Sequence, residues 1–167
     1  MQRTRRAFTL FAGSAGMFGL LSARSLFLGA QAQTVLSGVF TANGKPAKLT
    51  QVTAHKGEPF DNKPVIELVF TAMDQKGDPK AAFNAAFHKF GDAIIAKILP
   101  DGSVAGAELA HSGWRRPDMV VSVSGNIKIV DFSLTAGEIS GRLTTGGMQE
   151  FFDDKYEVDL TFKTKLP

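Results

Sequence analysis

The chain contains no cysteine among its 167 residues. Disulfides, thiolate zinc sites and thiol nucleophiles are excluded together, so a small domain made from this sequence must be held by its core alone. Histidine is scarce as well, with 3 in all. His55, His88 and His111 stand far apart, and no His-x-His, His-x-x-x-His or His-Glu-x-x-His spacing occurs. The residual metal candidates are His55 and His111, which both lie near the ends of expected strands; His88 is expected to be a solvated surface histidine. No Gly-x-Ser-x-Gly elbow is present either, so nucleophilic catalysis lacks its usual signature. The sequence assigns no catalytic residue and no cofactor.

A basic excess is also missing once charge is read by position. The whole chain has 19 Lys+Arg against 16 Asp+Glu. Four of those bases (Arg3, Arg5, Arg6, Arg24) and none of the acids fall in the first 32 positions, which leaves 15 against 16, a net of −1, for residues 33–167. Nucleic-acid binding therefore loses its electrostatic argument. The apolar stretch from Phe8 to Leu28 is broken by Arg24, short of the roughly 20 residues a membrane span needs. With the basic start and the small-x-small run Ala30-Gln31-Ala32, it reads as a cleavable export signal over residues 1–32.

Thr4-Arg5-Arg6-Ala7-Phe8-Thr9 resembles the twin-arginine export motif, with Thr9 where leucine is commoner. Gly13, Gly16 and Gly19, which dilute the apolar region, and Arg24 before the cleavage site favour the same route. The resemblance covers the first 32 residues and implies a cargo exported already folded, to the periplasm or outside the cell, with membrane contact only during export. No family resemblance is carried by residues 33–167.

Those 135 residues are long enough for one domain with a sizeable core. The alternation from Tyr156 to Phe162 sets Tyr156, Val158, Leu160 and Phe162 on one face and Glu157, Asp159 and Thr161 on the other. The stretch Phe60–Phe70 repeats its Phe-Asp-x-Lys approach and alternating strand, which raises the question of pseudo-symmetry. Strands are expected over 35–42, through Leu49, Val52 and Ala54, and over 65–72, 93–99, 104–109, 119–124, 127–134 and 139–145. Asn43-Gly44 and Asp101-Gly102 suggest type I′ hairpins, Gly125-Asn126 a further one, and Gly57–Pro64 a loop. The shift of apolar parity after Ile129 suggests a bulge. Asp78-Pro79 opens a single helix ending near Gly91, with Phe83, Phe87 and Phe90 as a stripe lying on a sheet. The expected fold is all-β, an antiparallel sandwich of about nine strands with one short helix; a closed lipocalin-like barrel is the alternative.

Two loops combine residue types that serve recognition. Trp114, Arg115 and Arg116 offer a flat aromatic and two bidentate donors. Phe151, Phe152, Asp153 and Asp154 place aromatics beside acids, although the same residues also close the end of a sandwich or make a solvated turn. The leading expectation is an exported, non-catalytic domain binding a protein, a glycan or a small molecule through loops on a rigid scaffold. A metal- or carboxylate-dependent hydrolase using His55, His111 and nearby acids, and a carrier with a hollow apolar interior, are the alternatives.

Overall fold

The computed structural model describes residues 34–167, so the expected export signal lies outside the described residues. Asn43 and Gly44 both take positive φ, 51° and 76°, the type I′ geometry their sequence favours. They join β1 (Val35–Ala42) to β2 (Lys45–Pro46). The returning strand stops there, and the chain crosses to a second sheet before β3 (Gln51–Phe60) begins.

The expected loop at 57–64 is instead the tip of a hairpin. β3 and β4 (Lys63–Thr71) pair up to a turn at Asp61-Asn62, whose φ values are 48° and 59°. The prolines that argued for a loop are tolerated because the ladder loses register between Gly57 and Phe60 and β3 is a sheet edge. After the helix α1 (Ala81–Ala86) come β5 (Ala93–Ile98), β6 (Val104–Ala110) and β7 (Val120–Val123). The chain then returns to the first sheet with β8 (Lys128–Thr135), β9 (Glu138–Thr144), β10 (Gln149–Phe151) and β11 (Asp154–Lys165). β2 and β10, of two and three residues, are the strands the sequence did not announce.

Two antiparallel sheets result, β2-β1-β11-β9-β8 with β10 beside β11, and β3-β4-β5-β6-β7, with no closed barrel. The fold is an all-β sandwich with one short helix. Gly125-Asn126 does not close a hairpin, since β7 and β8 belong to different sheets. The β5–β6 turn keeps Gly102 at φ 87°, but Asp101 is not at positive φ, so the turn is not type I′; the Asp101 carboxylate instead accepts the Ser103 amide at 2.9 Å. The bulge expected in the 127–134 strand is present between Val130 and Ser133, with Asp131 at φ 53°.

Alternation explains the core. β11 buries Tyr156, Val158, Leu160 and Phe162 against Leu68 and Phe70 of β4, Ile94 and Ile98 of β5, and Leu109 of β6. Large side chains thus fill the space between the sheets. β4 and β5 are apolar on both faces because sheet 2 is covered twice. Val69, Ala93, Ile95 and Ala110 point outward and meet Ala85, Ala86 and Phe90. The helix therefore packs through alanines, which let it approach closely, and not through the expected phenylalanine stripe. Phe90 is buried, while Phe83 and Phe87 are 62% and 67% exposed. Nor does Asp78 cap the helix. The N-cap is Lys80, without a side-chain bond, and the Asp78 carboxylate accepts the Lys80 amide, the Asn84 side chain and Lys89 Nζ.

The internal echo is real but local. Phe70 and Phe162, its matching ends, meet edge to face across the sandwich with ring centroids 5.5 Å apart. Leu68 and Leu160 occupy inward positions on strands of facing sheets. Both strands are interior, β4 between β3 and β5 and β11 between β1 and β9, but the two turns close at Phe60–Lys63 and Phe151–Asp154, one residue out of step.

Candidate functional site

The two loops singled out in the sequence meet at one end of the sandwich. The Arg115 amide donates to Asp154 Oδ1 at 3.1 Å, and Arg115 Nη1 reaches Asp153 Oδ2 at 3.1 Å. Asn43 fastens them to the β1–β2 turn, donating to the Gly113 carbonyl and to Asp154 Oδ1 while accepting the Lys155 amide. Asp154 is thus a buried bonding hub. Trp114 is buried as well, edge to face with His111 and Tyr156 at 6.0 and 5.9 Å between centroids. Both side chains build the end of the core.

What remains exposed there is thin. Phe151 is half-buried against the core, Phe152 projects from the hairpin tip at φ 53° and 84% exposure, and Arg116 is exposed. The Arg115–Asp153 pair is open to water on both sides, so it contributes little.

The histidines separate. His111 is fully buried, and its Nδ1 accepts the Gly113 amide at 2.8 Å, which fixes the neutral ring with its proton on Nε2. Burial pushes its pKa down, against the pull of Asp92 and the backbone carbonyls of Phe40 and Lys45. His88 is half-buried, not solvated, with an unpartnered Nε2 and a φ of 60°. His55 stands on the outer face of β3, with Nε2 2.7 Å from Thr53 Oγ1. Among the described residues, no three His, Asp or Glu side chains come together as a metal would require.

A larger feature lies on the outer face of the second sheet. A groove of about 760 Å³ runs beside α1, within the range of ligand-binding clefts. Its wall is Pro79, Ala82, Ala86 and the pair Phe83–Phe87, whose rings are 4.8 Å apart. Register builds its floor. His55, Glu67 and Lys97 are direct neighbours across β3, β4 and β5, and Ile95, Glu108 and Ser122 are neighbours across β5, β6 and β7. Gly106 faces Lys97 across the β5–β6 ladder and carries no side chain, leaving a gap in the floor.

Glu67 and Glu108 are not consumed by ion pairing. The four ion pairs among the described residues are Lys89–Asp78, Arg115–Asp153, Arg142–Asp159 and Lys163–Glu138. Burial in the groove raises the Glu67 pKa above its ordinary value; Lys97 and His55 oppose the shift, and Glu108 and Glu58 add to it. The groove thus offers an apolar aromatic wall, a carboxyl with raised proton affinity, a second free carboxylate, three ammonium groups (Lys56, Lys80 and Lys97) and a hydroxyl. Of the sequence candidates only His55 lines it. Single charges set in apolar strands were the signal for the rest, as in Val65-Ile66-Glu67-Leu68-Val69 and Ile94-Ile95-Ala96-Lys97-Ile98.

The fold and the groove define an all-β sandwich with a helix-walled cleft on one outer face. The chain matches no protein-family model, no curated protein and no solved structure.

Proposed function

We propose that the chain is an exported, non-catalytic binding domain whose ligand lies in the groove between α1 and the outer face of the second sheet. The observation that carries this reading is the exposure of Phe83 and Phe87 at the mouth of a cleft floored by free charged groups. Two large apolar rings left mostly in water beside unpaired charges add little to the fold, but they suit an amphipathic ligand with one apolar face and one hydrogen-bonding face. A peptide, a glycan or a small apolar molecule with a polar edge meets that description. Ligand-observed NMR with a fragment library tests it: hits on the wild type should be lost in Phe83→Ala/Phe87→Ala, and retention of all hits would refute it.

Export is the second part of the proposal and rests on the twin-arginine resemblance. Arg5→Lys with Arg6→Lys should leave the precursor in the cytoplasm, while the wild type should yield an N-terminus near Gln33 in the exported fraction.

Hydrolysis in the same groove is favoured by one observation, the raised proton affinity of Glu67 beside His55 and Lys97, a pattern suited to a general acid. Turnover of a chromogenic ester or glycoside panel that disappears in Glu67→Gln would decide for it.

A further inference from the structure

An antiparallel sandwich leaves unpaired strand edges, and each of them presents backbone donors and acceptors to any other strand. All but one of them are blunted or broken here: β10 has three residues, and β1, which pairs with β2 only at Thr41 and Ala42, carries Gly38 at φ 124° along its open side. β2 has two residues, one of them Pro46. β3 carries Pro59 and a break in register between Gly57 and Phe60. β8 is bulged between Val130 and Ser133.

β7 is the exception. It reads Val120-Val121-Ser122-Val123, with no charge, proline, glycine or bulge, and it pairs with β6 in unbroken register. Half of its backbone groups point away from β6. Among the described residues, none of them meets a backbone partner outside the β6 ladder. Four residues at about 3.3 Å each present an edge of about 13 Å.

The two faces of β7 prescribe what binds there. Val121 and Val123 are buried in the core between the sheets, whereas Val120 and Ser122 line the groove. A strand laid against β7 therefore sets alternate side chains beside the core edge, where apolar residues fit, and the others beside the groove. Across the ladder from Ser122 is Glu108, a free carboxylate. The incoming strand lies about two strand spacings, roughly 10 Å, from β6. The small Ser122 side chain leaves that path open, so a lysine or arginine on the incoming strand reaches Glu108 over it.

We infer that β7 accepts an extended peptide as a sixth strand of the second sheet, with β-branched residues on its core side and a basic residue directed over Ser122 to Glu108. The inference deepens the groove reading and rests on it for the destination of the basic side chain. Strand addition draws affinity from main-chain bonds and selectivity from alternate side chains. Here the selecting contact is one charge.

The test uses the protein purified after expression of the full chain and the synthetic peptide Val-Thr-Val-Lys-Val-Thr-Val. Counterparts carry central Glu or N-methyl groups on alternate amides, and binding is followed by NMR titration and amide exchange. The Lys peptide should bind at least tenfold tighter than the Glu peptide, N-methylation should abolish binding, and exchange should slow at least tenfold at those amides of residues 120–123 that point away from β6. Glu108→Gln should reduce the Lys-over-Glu preference to less than threefold. Equal binding of the two peptides, or unchanged exchange at β7, overturns the proposal. So does a dimer in sedimentation whose β7 amides are protected without peptide, since a second copy then holds the edge. Phe83→Ala/Phe87→Ala separates the two readings. If small-molecule hits vanish in that variant while the Lys peptide never binds the wild type, the edge fails alone; if hits persist while the peptide still protects β7, the groove reading fails alone.

Discussion

Replacing Phe83 or Phe87 by alanine should cost far less stability than replacing a core phenylalanine, and this separates a functional surface from a structural one. About a third of each side chain is covered, since the exposures are 62% and 67%. A fully buried phenylalanine removes roughly 150–250 Å² from water, so a third is about 70 Å². At about 25 cal/mol per Å² that is a little under 2 kcal/mol for the whole side chain. Alanine keeps the β-carbon, and at Phe83, inside α1, it gains about 0.5 kcal/mol in helix propensity. Each substitution should therefore cost about 1 kcal/mol or less. Phe70 is fully buried against Phe162, and Phe70→Ala should cost about 3–5 kcal/mol. Urea unfolding of the three variants, with unchanged m-values, makes the comparison direct. Should Phe83→Ala or Phe87→Ala prove as costly as Phe70→Ala, the rings are structural supports and the main reason for placing a ligand beside them is gone.

Other substitutions probe the scaffold and its charges. Gly38 sits at φ 124° on β1, where an added β-carbon would collide with the Asp159 carbonyl; Gly38→Ala should lower stability by about 3 kcal/mol, and a thermal midpoint within a degree of wild type would contradict the β1–β11 register. Asn43→Ala removes the bonds to Gly113, Asp154 and the Lys155 amide; a loss of about 2 kcal/mol is expected, with Asn43→Gly falling nearly as far because the bonds, not the backbone angle, are lost. For Glu67 the folded pKa lies above the unfolded one. The folded state then binds more protons, and stability falls as pH rises through that window. Glu67→Gln should raise the melting temperature at pH 7, with the gain shrinking as pH drops through the raised folded pKa and gone below the ordinary carboxylate range; a gain that persists at pH 3 would refute the cause. Asp78 has the opposite sign. Its bonds to Lys89, the Lys80 amide and Asn84 hold its pKa at about 2, so the support it gives the α1 turn is present above the ordinary carboxylate pKa and lost as pH falls toward 2, and Asp78→Asn should flatten that acid limb of the melting curve.

Turn chemistry and period-two patterning made most of the sandwich readable from sequence, and the failures have physical causes. Asn43-Gly44 and the β11 alternation depend on neighbours in the chain, so they were legible. The 57–64 segment was misread because proline penalises a paired interior strand, whereas β3 is an edge with a broken ladder. The phenylalanine stripe was misread because helical spacing shows which residues share a face, not which face meets the sheet; Ala81, Ala85 and Ala86 form the buried one. The groove itself was illegible as a whole. Its floor is assembled by register from five strands, and register is a property of the sheet. The Trp114 and Phe152 loops drew attention through composition, yet Trp114 and Asp154 spend their chemistry inside the protein.

The central claim is that the ligand lies on the outer face of the second sheet. Chemical-shift mapping of the isotope-labelled protein against a library of small amphipathic molecules and short peptides tests it most directly. Shifts gathered at Phe83, Phe87, Glu67, Lys97, Glu108 and Ser122 are the predicted result. Shifts confined to Trp114, Arg116 and Phe152 at the end of the sandwich would contradict it.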